Sequence, residues 1–146
     1  MELVAAAQAL VPGTAAGVVM KCDPPLSFWG GVHPLSGRII AADHPLRGQS
    51  LAGRILVMAC SIGSSSGSSV LLQLAANHTA PAAIILAHRD AILTLGALVA
   101  AEMGYGVIPV LLLGPAGFDS LPETVRIDCR GRIFRPDSSE YHEGEF

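Results

Sequence analysis

The stretch Arg54-Ile-Leu-Val-Met-Ala-Cys60-Ser-Ile-Gly63-Ser64-Ser65-Ser66-Gly67-Ser68-Ser69-Val70-Leu-Leu72 decides how this chain is organised. An apolar run of strand length leads into six serines and two glycines, and then into a helical pattern. Glycine allows a tight turn, and the unpaired N–H groups at a helix N-terminus suit a carboxylate or phosphate. Serine hydroxyls add donors that rotate to fit a ligand. We therefore expect the chemistry in residues 63–68, called the serine loop below.

The composition of the chain predicts a protein partner. Of the 146 residues, 51% are hydrophobic and only 14% are charged, with Lys21 as the single lysine. A surface this poor in charge favours a face covered by another chain. The formal net charge is -3 and the arginines are scattered, which argues against nucleic acid as the partner.

The sequence gives no sign of a membrane span, a signal peptide or a metal motif. Gly104 and Gly106 break the longest apolar region, and Glu2 stands where a signal peptide needs basic residues. Cys22, Cys60 and Cys129 are too widely spaced for a disulfide framework or a metal motif. We expect a cytoplasmic chain of one domain, residues 1–146, that binds no metal itself and contacts no membrane.

The segment from 55 to 113 alternates between strand and helix patterns. The predicted order is strand Ile55–Met58, a helix from Val70 to about Asn77, strand 82–87, a helix capped by Asp90 and ended by Gly104, and strand 107–113. Pro109 suggests an edge position or a bulge in the last strand. This βαβαβ run predicts an α/β fold with a parallel sheet.

The flanking segments carry weaker patterns. Strands are predicted at 17–22 and 37–41, and a hairpin at 124–134. Residues 26–34 read as an ordered loop in which Phe28 and Trp29 are expected to pack in the core, and 115–122 reads as loop. Residues 136–146 are expected to form a mobile, acidic tail.

The serine loop has a second interpretation, because Gly63-Ser64-Ser65-Ser66-Gly67 matches the G-x-S-x-G nucleophile elbow. Ser65 would then be the nucleophile of a serine hydrolase, which also needs a converging histidine and acid. A Walker A loop is excluded because no lysine follows Gly67. A third interpretation is a non-catalytic swivelling or binding module. Phosphohistidine carrier domains are one such class, but they need an exposed histidine in a defined loop. The five histidines are expected to be structural.

Several blocks in order resemble one family, the small swivelling subunit of aconitase X. These blocks are Ser27-Phe28-Trp29-Gly30-Gly31-Val32, Gly37-Arg38-Ile39-Ile40, His44-Pro45-Leu46-Arg47-Gly48, Leu51-Ala52-Gly53-Arg54, Gly63-Ser64-Ser65-Ser66-Gly67-Ser68 and Ala80-Pro81-Ala82-Ala83-Ile84. The resemblance covers about residues 15 to 115.

The resemblance implies a fold, a partner and an activity. The fold would be a swivelling β/β/α domain like the mobile fourth domain of aconitase, closing over a large subunit that holds an iron-sulfur cluster. The chain would carry no cofactor of its own and would act on a small hydroxy acid. Members of the family include cis-3-hydroxy-L-proline dehydratase and phosphomevalonate dehydratase.

The resemblance also implies roles for the serine loop. The proton acceptor falls on Ser64, and Gly63, Ser65, Ser66, Gly67 and Ser68 would bind the substrate. Many relatives carry a basic residue at the position of Ile62 and an acidic residue at that of His33. An uncharged Ile62 removes a natural partner for a phosphate. The sequence therefore favours conversion of cis-3-hydroxy-L-proline to pyrroline-2-carboxylate over dehydration of phosphomevalonate.

Overall fold

A computed structural model of the protein describes residues 1–137. Eight strands are present in this range: β1 Glu2–Ala6, β2 Gln8–Val11, β3 Ala15–Cys22, β4 Ile55–Met58, β5 Ala83–Leu86, β6 Val110–Leu112, β7 Thr124–Ile127 and β8 Arg132–Arg135. The helical segments of this range are α1 Phe28–Gly31, α2 Gly67–Ala76, α3 Ala91–Glu102 and a 3₁₀ helix at Pro115–Ser120. Most of the predicted tail, 136–146, lies outside the described residues.

The strands form one mixed sheet in the order β1-β8-β7-β3-β4-β5-β6-β2. The four central strands, β3 to β6, are parallel, and every outer pairing is antiparallel. β1 and β2 stand at opposite ends of this order, yet only Ala7 separates them, and its N–H donates to the carbonyl of Gly131 (2.9 Å). One bent N-terminal strand thus pairs with β8 and then with β6, which closes the sheet on itself.

Closure divides the core into two apolar clusters. Along β4, Leu56 and Met58 pack with α2 and α3, whereas Ile55 and Val57 face the inside of the closed sheet. β5 follows the same alternation, so both faces of the central strands are buried. The helices therefore form a third layer over two β layers. This is the predicted β/β/α arrangement.

The βαβαβ prediction is confirmed from β4 to β6, and so is the hairpin of β7 and β8. The strand predicted at 37–41 is wrong, because this segment makes only the single bridges Val32–Ile39 and Arg38–Ser50. Backbone groups there bond within a compact loop, as when Gly37 N–H donates to the carbonyl of His33 (2.9 Å).

Two further expectations need correction. β6 is not at an edge, since it lies between β5 and β2. Pro109 directly precedes the strand, where its missing N–H costs no ladder bond, and the register irregularity falls in β2 between Ala9 and Val11. The loop predicted at 115–122 contains the 3₁₀ helix, which begins at Pro115.

Candidate active site

The serine loop follows the buried strand β4, and its last two residues, Gly67 and Ser68, begin α2. Gly63 adopts a φ of 85°, a backbone conformation that side-chain-bearing residues rarely take. This turn leads Ser64, Ser65 and Ser66 onto the surface, where all three are exposed. Gly67, the first residue of α2, is buried. The chain thus presents three serines at a helix N-terminus, as the sequence predicts.

The hydrogen bonds of the loop leave a cluster of free donors. Ser66 N–H donates to Ser64 Oγ (3.1 Å), and Gly67 N–H donates to the carbonyl of Ser64 (3.0 Å). Within residues 1–137, the N–H groups of Gly63, Ser64 and Ser65 have no acceptor. Free N–H groups beside a helix N-terminus form a site for a negative charge. One N–H already points at Ser64 Oγ, so a charge developing on that oxygen would be stabilised.

Asp90 anchors the loop from the neighbouring connection. Its Oδ1 accepts from the N–H groups of Ile92 (3.0 Å) and Leu93 (3.1 Å), which confirms the predicted N-cap of α3. Its Oδ2 accepts from Ser61 N–H at 2.5 Å. The residue is only 7% exposed, so one buried carboxylate joins α3 to Ser61, two residues before the serine loop. Sequence reasoning identified the cap but missed this second bond.

The segment Leu26–Trp29 runs along the serine loop and supports it. Ile62 N–H donates to the carbonyl of Leu26 (3.1 Å), and Gly63 packs so closely on Ser27 that no Cβ fits between them. A Cβ on Gly67 would contact Phe28 Cβ at 3.4 Å. Gly63 therefore allows the close approach of this supporting segment, whereas a Cβ at Gly67 would make ordinary contacts with it.

The aromatic pair of this segment divides between core and surface. Phe28 is fully buried, as predicted, but the expectation for Trp29 is wrong because the indole is 61% exposed. α1 is a single turn that is broken at Trp29 (ψ 115°) and Gly30 (φ 82°), so successive side chains point in different directions. The Ser27 hydroxyl donates to the Trp29 carbonyl (2.7 Å) and fixes this geometry.

The structure does not bring the parts of a serine hydrolase together. Among the described residues, no histidine or carboxylate forms a hydrogen bond with the hydroxyl of Ser64, Ser65 or Ser66. His44 instead uses both ring nitrogens structurally, since Leu46 N–H donates to Nδ1 (3.1 Å) and Nε2 lies 2.7 Å from the Pro24 carbonyl. The N–H on Nε2 therefore donates to that carbonyl.

The thiols are dispersed and show no metal or nucleophile geometry. Burial, with a contribution from the charge of Asp23, raises the pKa of the Cys22 thiol to about 12, so this thiol stays protonated and unreactive. Cys60 is half-buried and Cys129 is exposed, and all three are free thiols. Among residues 1–137, no group of three His, Cys, Asp or Glu side chains is placed to hold a metal ion. In the same range, no helix is long and apolar enough to cross a membrane.

A closed mixed sheet with two helices on one face, and a serine loop at the N-terminus of the first, defines the class of swivelling β/β/α domains. The chain belongs to the aconitase X swivel domain family, whose family model matches residues 4–133. In the solved structure of Thermococcus kodakaraensis aconitase X in its holo-form, a chain aligns with a TM-score of 0.78 and 34% identity. The alignment covers 90% of this chain and 97% of that one.

Two curated relatives show how this domain occurs in other proteins. The chain is 47% identical over 112 residues to a cis-3-hydroxy-L-proline dehydratase of Pseudomonas aeruginosa, covering 77% of this chain but 19% of that protein. It is 46% identical over 88 residues to the phosphomevalonate dehydratase small subunit of Methanothermobacter thermautotrophicus, covering 60% of this chain and 67% of that subunit. The chain therefore spans about a fifth of the length of the first relative, and its size is similar to that of the second.

Proposed function

We propose that this chain is the small subunit of an aconitase X-type hydro-lyase that removes water from cis-3-hydroxy-L-proline. Family membership supports the reaction class, and the relatives named dehydratases include a separate small subunit. The observation that carries the proposal is the exposed Ser64 hydroxyl, which accepts the Ser66 N–H at 3.1 Å and lies among free donors. The chemistry would be completed by a large aconitase X subunit.

Ser64 would act as the base that takes the proton from the carbon bearing the carboxylate. A serine hydroxyl is a very weak acid, so the alkoxide needs strong local stabilisation in a closed, dry site. The Ser66 N–H and the N-terminus of α2 would supply that stabilisation. Proton transfer to Ser64 Oγ leaves a neutral hydroxyl, and the C–O bond to the 3-hydroxyl breaks to release hydroxide. The proton held by Ser64 Oγ then converts this hydroxide to water, which regenerates the alkoxide. The product is the unsaturated ring that tautomerises to pyrroline-2-carboxylate.

The remaining loop residues would hold the substrate. The free N–H groups of Gly63, Ser64 and Ser65 suit its carboxylate, and the unpartnered hydroxyls of Ser65 and Ser66 add adjustable donors. Gly67 and Ser68 would contribute the start of the α2 dipole to the same site. A phosphate would find less support, because residues 55–88 contain no lysine or arginine.

The cofactor of this reaction would belong to the partner. The cysteines of this chain are dispersed, and its described residues offer no donor set for a cluster. A cluster held by the large subunit would supply a Lewis acid for the departing hydroxyl. The residues of this chain would bind the carboxylate, accept the proton and help to exclude water.

The decisive test compares Ser64→Ala with Ser65→Ala in the complex with the large subunit. Loss of a general base lowers kcat by roughly 10² to 10⁴-fold, whereas an exposed serine-to-alanine change shifts stability by less than about 0.5 kcal/mol. We therefore expect Ser64→Ala to abolish dehydration of cis-3-hydroxy-L-proline while the complex still forms on gel filtration. Ser65→Ala should keep most of its kcat, with an effect mainly on KM.

Two results would overturn the proposal. A Ser64→Ala complex that keeps more than about a tenth of its kcat would remove Ser64 from the base role. Labelling of Ser65 in the isolated chain by a fluorophosphonate would favour the hydrolase interpretation instead. The same assay with phosphomevalonate decides between the two substrates.

A further inference from the structure

The segments that form the serine loop and its support carry no charged residue and expose two large apolar side chains. Residues 24–34 and 55–69, which contribute the loop and its supporting segment, contain no Asp, Glu, Lys or Arg. Trp29 is 61% exposed and Ile62 is 51% exposed on this surface. Charged residues solvate most free protein surfaces, whereas interface cores lose charge and gain aromatic residues. This composition is typical of an interface centre.

Both side chains stand on backbone that is attached to the serine loop. Ile62 directly precedes Gly63 and is tied by its N–H to the Leu26 carbonyl (3.1 Å). The backbone N of Trp29 is 4.0 Å from the position that a Cβ on Gly67 would take, and the Trp29 carbonyl accepts from Ser27, which packs on Gly63. An isoleucine and a tryptophan therefore lie beside Ser64 and its neighbours.

The backbone that presents Trp29 is fixed before any partner binds. Phe28 is buried beside it, and the Ser27 hydroxyl holds the Trp29 carbonyl at 2.7 Å. An indole on a fixed backbone loses little conformational entropy on binding, because only two side-chain torsions need to be ordered. Tryptophan is among the residues most enriched at interface hot spots. Trp29, which is exposed on a fixed backbone, therefore has the properties of an interface anchor residue.

From these observations we infer that Trp29 and Ile62 anchor this chain on an apolar surface of the large aconitase X subunit, beside Ser64. The inference rests on the proposed function and adds to it the contact surface of the partner. The relatives point to this occupant, because they present the domain either as a small subunit or as about a fifth of a longer chain. Apolar contacts beside the loop would also help to exclude water from Ser64, which an alkoxide base requires.

The single tryptophan of the chain makes the inference directly measurable. Incorporation of 5-fluorotryptophan into this chain alone places one ¹⁹F signal on Trp29, which is read before and after addition of the unlabelled large subunit of the same source. We expect the signal to shift, and its response to a soluble paramagnetic quencher to fall several-fold in the complex. A signal that keeps its position and its response to the quencher in a formed complex would overturn the inference.

Variants then measure the affinity of the two chains. Trp29→Ala and Ile62→Ala should each raise the Kd, with the tryptophan change on the order of thirtyfold, as expected for an interface hot spot. Trp29→Phe should recover part of the affinity. Val107→Ala is the matched control, because Val107 is 57% exposed but precedes β6 at the opposite edge of the parallel strands. Its Kd should stay within about twofold, as for surface substitutions away from an interface.

The outcomes separate this inference from the proposed function. Loss of turnover in Ser64→Ala together with an unchanged Kd in Trp29→Ala would leave the proposed function in place and overturn the anchor. A Trp29→Ala complex with normal Kd but raised KM would instead assign the indole to substrate contact. Failure of the wild-type chains to bind each other would overturn both proposals.

Discussion

At the scale of single residues, Gly63 sets the position of Ser64. Its φ of 85° directs the chain from β4 into the serine loop, and its missing side chain lets Ser27 approach. A Cβ at Gly63 would lie 2.9 Å from Ser27 Cβ and closer still to its Oγ. The position therefore imposes both a conformational and a steric requirement, and only glycine meets both.

We expect Gly63→Ala to displace the serine loop and to lower both stability and turnover. The left-handed conformation alone costs an alanine about 1–2 kcal/mol, and the contact with Ser27 adds to that cost. Gly53→Ala is the control, because Gly53 also has a positive φ (70°) but no atom lies within 4 Å of its added Cβ. This variant should lose only the unfolding free energy that the backbone conformation costs. Urea unfolding of both variants measures the difference.

A double variant isolates the steric part of this cost. In a Ser27→Gly background the contact disappears, so the effect of Gly63→Ala on unfolding free energy should shrink to that of Gly53→Ala. An effect of the same size in both backgrounds would mean that Ser27 does not restrict Gly63.

At the scale of elements, α2 and α3 begin at the same edge of the sheet, and Asp90 bonds the start of α3 to the connection that leads into α2. The helices also pack closely along their length, because a Cβ on Gly96 would lie 2.9 Å from the Ser68 carbonyl oxygen. The serine loop thus takes its position from two helices and from the strand end before it. Asp90 is the described side chain that bonds both to α3 and to the approach of the loop.

Substitutions of Asp90 should separate the cap from the loop anchor. Asp90→Ala removes both and leaves the Ser61 N–H without its acceptor, for a loss of about 2–4 kcal/mol, or a Tm lower by roughly 5–15 °C. Asp90→Asn keeps an oxygen for the N–H groups of Ile92 and Leu93, but its amide nitrogen would face the Ser61 N–H. We expect a smaller fall in Tm for the asparagine variant, measured by calorimetry, with a loss of turnover close to that of the alanine variant.

Full turnover in Asp90→Asn would contradict the role of this carboxylate in placing the loop. Equal falls in Tm for the two variants would show that the bond to Ser61, rather than the helix cap, supplies most of the stability.

At the scale of the whole molecule, closure of the sheet creates a rigid support for an exposed loop. β4 and β5 are buried on both faces, by the helices on one side and by the interior of the closed sheet on the other. The serine loop lies in the connection between β4 and α2, whereas the strands that close the sheet are β1 and β2 at the N-terminal end of the chain. The buried strands therefore supply a stable framework, and the exposed loop that they support carries the candidate site, as is common for sites on loops.

Amide hydrogen exchange should show this division directly. The amides of Ile55–Met58 and Ala83–Leu86 should exchange only through global unfolding, because their strands are central and fully buried. The amides of Gly63, Ser64 and Ser65 should exchange within seconds in the isolated chain and become protected in the complex. Slow exchange of these three amides in the isolated chain would mean that the loop donors already have acceptors.

Local sequence signals determined much of this protein. The βαβαβ run, the cap at Asp90 and the position of the serine loop at a helix N-terminus follow from periodicity and from residues with strong backbone preferences, which act over a few neighbours. The family resemblance rested on several blocks in order, and the match of residues 4–133 confirms it. Ser64 as the base remains a prediction.

Only the tertiary structure decided the features that depend on distant parts of the chain. Sheet closure at Ala7 and the bond from the Ser61 N–H to Asp90 each join segments whose pairing no local pattern specifies. The separation of Phe28 from Trp29 has the same origin, because hydrophobicity alone assigns both aromatic side chains to the core. Burial is set by which surfaces meet, and that depends on the packing of the whole chain.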